Sequence, residues 1–159
     1  MKIGIMGGTF NPIHNAHLLI AEMAREEYGL DRVIFITDGN PPHKSANVTA
    51  KQRFEMTHIA IADNSAFEED DFEINRSEKS YTVNTLGYLK EKYPNNDLFF
   101  IIGEDSLNDF DKWYKPDKIL EMCSLLVFPR KSLKSLTETI KVVKEKMNGR
   151  IFPISAPVF

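Results

Sequence analysis

Five consecutive apolar residues, Leu98-Phe99-Phe100-Ile101-Ile102, constrain the fold more than any other stretch of the chain. A strand with one face in water alternates apolar and polar residues, and this one does not. Such a run is buried on both faces, as in the middle of a parallel sheet covered by helices above and below. The rest of the sequence fits that frame. Strand-like runs are predicted at residues 2–6, 32–37, 71–75, 124–128 and 150–154, and apolar residues at helical spacing predict helices over 18–28, 51–62, 82–93, 106–110, 115–122 and 133–147. Strand and helix alternate, so right-handed crossovers should build an α/β fold, a doubly wound parallel sheet with helices on both faces. At 159 residues the chain is long enough for one well-buried core and short for two, and a single domain over 1–159 is expected.

In sheets of this kind ligands bind beyond the carboxyl ends of the strands. Three loops take that position, at residues 7–17, 37–44 and 103–106. The first carries the most chemistry: Gly7-Gly8-Thr9-Phe10-Asn11-Pro12-Ile13-His14-Asn15-Ala16-His17. Glycines let backbone amides approach an anion, and the start of the next helix adds free amides and partial positive charge. His14 and His17, three residues apart, can face the same side of that helix start. A Gly-Gly after a strand is by itself only a tight turn, and this loop matches neither the Gly-Lys-Ser/Thr phosphate loop nor the dinucleotide fingerprint. The two histidines give it a reading, as a seat for a phosphate chain.

Other segments read in two ways. Pro41-Pro42-His43-Lys44 is a rigid surface turn, or a brace that holds Lys44 as a point charge near a phosphate. Ser80 or Thr82 is placed as the N-cap of the 82–93 helix, whose free amides near Thr82 could hold a ligand carboxylate. Trp113-Tyr114 either closes the core or stacks on a flat ring.

Composition narrows the class. With 42% apolar and 27% charged residues, and no apolar run approaching the roughly 20 residues of a membrane span, a soluble globular protein is expected. A strand begins at once after Met1, leaving no room for a signal peptide, so the expected location is the cytoplasm. The lone Cys123 excludes an internal disulfide and a cysteine zinc site, and its apolar surroundings suit a small core residue. A net charge of −3 without a long basic run argues against nucleic acid as a main partner.

The motifs taken together carry a resemblance. Gly-Gly-Thr-Phe-Asn-Pro-x-His-x-x-His is similar to the signature of the nucleotidyltransferase superfamily with a His-x-Gly-His motif. Pro-Pro-His-Lys, then Arg-x-x-x-Ser-Tyr-Thr-x-x-Thr-Leu, then Phe-Ile-Ile-Gly-x-Asp-Ser-Leu followed by Trp-Tyr, narrow it. In that order and spacing they resemble the bacterial nicotinate-nucleotide adenylyltransferases, from Lys2 to about Pro157. The resemblance implies a Rossmann-like fold and adenylyl transfer from ATP, with Mg2+, to nicotinate mononucleotide, giving deamido-NAD and pyrophosphate. It implies that His14 and His17 contact the ATP phosphates and stabilise charge at the α-phosphorus. By the same resemblance Gly7, Gly8, Thr9 and Phe10 line the phosphate and adenosine site, Gly103 and Asp105 the ribose, and Arg130 a phosphate, with Arg76 a weaker candidate. Lys44 would meet phosphate, Thr82 amides the nicotinate carboxylate, and Trp113 with Tyr114 the ring. No protein metal ligand, membrane or nucleic acid is implied, and a homo-oligomer stays open.

The chain departs from the family pattern in places. Ala16 stands where Gly is usual between the histidines, Asn11 replaces Asp, and Glu78-Lys79 replace Gly-Pro. The family's Ile-Ser-x-Ser/Thr-x-x-Arg segment after the last strand is approached at Ile154-Ser155 and not reached, so a chain lacking that motif and the helices beyond is expected, with weakened nucleotide binding. Two alternatives stand beside the main reading: a phosphopantetheine adenylyltransferase, and a catalytically silent nucleotide-binding module.

Overall fold

The computed structural model describes residues 1–8, 10, 13–39, 49–76 and 80–157. Thr9, Asn11, the Pro-Pro-His-Lys segment with Lys44, and Glu78-Lys79 lie outside the described residues.

Six strands form one sheet: β1 (Lys2–Gly8), β2 (Arg32–Thr37), β3 (Phe67–Asp70), β4 (Asp97–Gly103), β5 (Ser124–Phe128) and β6 (Ile151–Pro153). Their order is β3-β2-β1-β4-β5-β6 and each neighbouring pair is parallel. The chain therefore winds outward from β1 in one direction, returns, and winds outward from β4 in the other. The reversal between β1 and β4 opens a crevice at their carboxyl ends, because the connections leave them on opposite faces.

Side-chain alternation assigns the faces. Ile3, Ile5, Leu98, Phe100, Ile102, Leu125 and Val127 point into one core with Val83, Leu86 and Leu89 of α3 (Thr82–Lys92), Ile119 and Leu120 of α5 (Pro116–Met122), and Leu136 and Ile140 of α6 (Leu133–Lys146). Met6, Val33, Phe35, Ile101 and Leu126 point into the other, with Ile20, Ala21 and Ala24 of α1 (Asn15–Tyr28) and Ile61 of α2 (Ala50–Ile61). The run at 98–102 thus supplies both cores, which is why it carries no polar residue.

Two sequence expectations are corrected. Residues 71–75 alternate like a strand, yet the third strand is Phe67–Asp70 and a turn follows it. The buried Asp70 ends the strand: its carboxylate accepts from the Phe72 amide at 2.8 Å, from the Tyr88 hydroxyl at 2.9 Å and from Lys92 Nζ at 3.0 Å. An aspartate that accepts from an amide two residues on forms its own turn and competes with the ladder. Phe72 then stacks on Tyr88, with ring centroids 4.2 Å apart. Second, neither Ser80 nor Thr82 is the N-cap of α3. Tyr81 holds that place in extended backbone, with no side-chain capping bond. The helix start is left without a side-chain cap.

Candidate active site

Two cavities open at the carboxyl edge of the sheet, one on each side of it. The α3-side cavity, about 240 Å³, is reached from Gly7 and Gly8 at the end of β1, with Ile36, Phe100 and Trp113 as its apolar wall. Asp38, Glu73, Ser80, Thr82 and Thr85 supply its polar groups. The α1-side cavity, about 390 Å³, is lined by His14, Ala16 and His17 on one flank and by Gly103, Asp105 and Arg130 on the other. Among the described residues none lines both.

The histidine pair is built by the helix start. His14 is the N-cap of α1 in extended backbone, φ −139°, ψ 175°. Its amide donates to Nδ1 of His17 at 3.2 Å, and the two rings sit 4.0 Å apart. An Nδ1 that accepts leaves the proton of a neutral imidazole on Nε2. Burial, and then the neighbouring His14, lower the pKa of His17 to about 4. At neutral pH it is therefore an uncharged donor held at an anion-accepting helix start. Phe10 fixes it from below. This residue is 3% exposed, sits at φ 47°, and presents its ring edge-on to His17 with centroids 5.2 Å apart. A positive φ in a bulky residue is unfavourable and persists only where surrounding packing imposes it. Here the ring also lies 3.0 Å from where a Cβ on Gly8 would stand, so glycine makes room for it.

Across the α1-side cavity, Arg130 pairs with Asp105 at 3.1 Å, both side chains about two-thirds exposed (64% and 66%). The pair lies open to solvent beside the histidines. Ala16 adds its methyl to the same wall.

On the α3 side, the turn after β3 carries Glu73 into the cavity. Its carboxylate accepts from Thr85 Oγ1 at 2.6 Å. Burial pushes its pKa up to about 7; the Thr85 bond and Arg76 oppose the rise, and Asp38 adds to it. Gly39 permits this placement, because a Cβ there would stand 2.2 Å from the Glu73 carbonyl oxygen. The buried Arg53 of α2 holds the same loop, donating from Nη1 to the Asp38 carbonyl at 2.7 Å. Ser80 Oγ is buried on the cavity wall without a hydrogen-bond partner among the described residues. Trp113 is shared between cavity and core, its ring 6.0 Å from Phe100 and 4.9 Å from Phe110. Tyr114 lines neither cavity; it is half-exposed, 4.6 Å from Tyr81.

The structure thus brings together His14, His17, Gly103, Asp105 and Arg130 on one side, and Gly7, Gly8, Thr82 and Trp113 on the other. Phe10 supports the first group from the core, and Arg76 lines neither cavity. Sequence reasoning missed Asp38, Glu73, Ser80 and Glu104. Asp38 and Glu104 lie in the strand-end loops 37–44 and 103–106, which is the available signal, and Ser80 reads only as a cap. Among the described residues no helix is long and apolar enough to cross a membrane.

A parallel sheet reversing under a histidine-bearing helix start, with a cavity on either side, defines a doubly wound α/β protein with a candidate ligand site at the switch point. The family model described as cytidylyltransferase-like matches residues 5–156. A protein of Citrifermentans bemidjiense named "Probable nicotinate-nucleotide adenylyltransferase" is 47% identical over 146 residues, covering 89% of this chain and 68% of its own length. One of the same name from Pelobacter propionicus is 51% identical, over 82% of this chain and 61% of its own. The chain belongs to the nicotinate-nucleotide adenylyltransferase family. It spans about two thirds of the length of these relatives. The Plasmodium falciparum nicotinic acid mononucleotide adenylyltransferase complexed with NaAD superposes with a TM-score of 0.79 at 22% identity, covering 99% of this chain and 76% of that one, a likeness of fold.

Proposed function

We propose that this chain transfers the adenylyl group of ATP to nicotinate mononucleotide, releasing pyrophosphate and forming deamido-NAD. The observation that carries this is the division of the site: an anion-seating helix start with a histidine pair on one face, and an aromatic cavity with an uncapped helix start on the other. ATP fits the α1 side. There His17 Nε2–H and the first amides of α1 meet the phosphates, and Asp105 suits two ribose hydroxyls. The nicotinate ring fits the α3 side, against Trp113, with its carboxylate on the first amides of α3. Those names reach this chain from its relatives, and from the NaAD bound by the Plasmodium falciparum protein.

In the reaction, an oxygen of the mononucleotide 5′-phosphate forms a bond to the α-phosphorus of ATP. The bond from that phosphorus to the bridging β-oxygen breaks, and pyrophosphate leaves with the electron pair. No covalent enzyme intermediate is required. The protein aligns two anions and neutralises the charge that gathers between them, which is positioning and electrostatic catalysis. Among the described residues no group of three His, Cys, Asp or Glu is placed to hold a metal ion. Mg2+ would come with ATP as part of the substrate, in keeping with its preference for phosphate oxygens.

The test is pyrophosphate release with ATP and each of three acceptors: nicotinate mononucleotide, nicotinamide mononucleotide and phosphopantetheine. Release with the first far above the other two is expected. Calorimetric uptake of ATP with no release on any acceptor would instead identify a binding module.

A further inference from the structure

Glu104 stands at the position that the Phe-Ile-Ile-Gly-x-Asp pattern leaves open. It opens the short helix α4 (Glu104–Asn108) directly after β4 and is 6% exposed. A buried carboxylate is costly unless its oxygens are bonded. These oxygens are. Oε1 accepts from the Arg130 amide at 3.1 Å, and Oε2 accepts from Ser135 Oγ at 3.2 Å and Thr139 Oγ1 at 3.1 Å. One side chain thus ties the end of β4 to the β5–α6 loop and to the first turns of α6.

We infer that Glu104 is the positioning residue that holds Arg130 beside the α1-side cavity. Among the described residues the Arg130 side chain has one tie, the bond from Nη1 to Asp105 Oδ1 at 3.1 Å. That pair is exposed on both sides, and exposed pairs fix geometry weakly. The part-buried bond from the Arg130 amide to Glu104 sets the backbone of Arg130, and so the reach of the guanidinium over the cavity shared by Asp105 and the histidines. The inference rests on the reading that ATP occupies this cavity.

Four variants test it, through KM for ATP, KM for the mononucleotide and kcat. Arg130→Ala is expected to raise KM for ATP about fivefold. Glu104→Ala should raise it by a similar factor, leaving kcat within about twofold and KM for the mononucleotide unchanged. Glu104→Gln keeps an oxygen for the Arg130 amide and should restore KM for ATP. Thr139→Val removes one of the two ties to α6 and leaves the Arg130 bond, so it should lower the melting temperature without moving KM for ATP. In the double variant Glu104→Ala, Arg130→Ala, KM for ATP should be no higher than in Arg130→Ala alone.

Multiplication of the two effects in the double variant, or an equal rise in both KM values for Glu104→Ala, overturns the inference. So does a raised KM in Glu104→Ala with none in Arg130→Ala, which leaves the ATP reading intact. If neither variant moves KM for ATP, the assignment of Arg130 to ATP fails, and the inference with it. Should Glu104→Ala not fold, the Thr139→Val and Glu104→Gln comparison decides, since a purely structural role requires KM for ATP to follow stability in both.

Discussion

His17→Ala is expected to lower kcat for pyrophosphate release by about a hundredfold to a thousandfold, the usual cost of removing one preorganised donor from a developing anion. The donor is preorganised by three contacts. The His14 amide occupies Nδ1, Phe10 packs edge-on beneath the ring, and the His14 ring sits alongside it. With its pKa lowered to about 4, the ring donates as a neutral group at neutral pH, so its contribution comes from a directed Nε2–H and not from a standing charge. Because the ring also fills space against Phe10, the variant must be shown to melt as a folded protein. His17→Gln, which keeps a donor, should recover part of the rate. A folded His17→Ala enzyme with unchanged kcat would remove the histidine from the mechanism.

The second large effect concerns pH. Glu73 shares the α3-side cavity with the acceptor's proposed carboxylate and ionises near 7. Below that pH it is neutral and bonded to Thr85; above it, a second negative charge faces the ligand. Asp38 reinforces that charge, and Arg76 offsets part of it. KM for nicotinate mononucleotide should therefore rise as pH passes through about 7, by about tenfold, and level off once Glu73 is fully ionised. Glu73→Gln keeps an oxygen for the Thr85 bond and cannot ionise, so its profile should stay flat over the same range. The acceptor's own phosphate titrates equally in both enzymes, and the ratio of the two profiles isolates Glu73. Nicotinamide mononucleotide, without a carboxylate, should respond less, so the preference for the acid narrows as pH rises. Parallel profiles in the two enzymes would sink the assignment. Folding follows the same sign. The unfolded carboxyl ionises near 4.5 and the folded one near 7, so stability present below 4.5 is lost as pH climbs through 7.

The sheet was legible in the sequence wherever burial on two faces left a continuous apolar run. The expected strand at 98–102 lies within Asp97–Gly103, while 32–37 and 124–128 coincide with Arg32–Thr37 and Ser124–Phe128. The histidine pair was legible because its helix start follows a strand end. What misled was residues 71–75, where Phe72 and Ile74 imitate a half-exposed strand. Phe72 is instead claimed by Tyr88, a partner no local pattern discloses. That misreading hid Glu73, which in a strand would point away from both apolar neighbours into water. Glu104 was hidden for a related reason: its three partners lie 26, 31 and 35 residues ahead. Nor does local sequence say onto which face of the sheet a strand-end residue opens, and Gly7 and Gly8 open toward Thr82 and Trp113.

Among the described residues the two cavities have no wall residue in common. On the proposed reading, ATP engages chiefly one face of the sheet edge and the mononucleotide the other, whereas the dinucleotide made from them straddles the edge and engages both at once. Two modest grips joined by a covalent link act as one strong grip. The product is then the best ligand the site ever holds, and its departure becomes the slow event of the cycle. Rapid mixing should show this as a burst of pyrophosphate close to one equivalent per site ahead of the steady rate; a linear release from the first moment would mean that chemistry, and not departure, sets the pace.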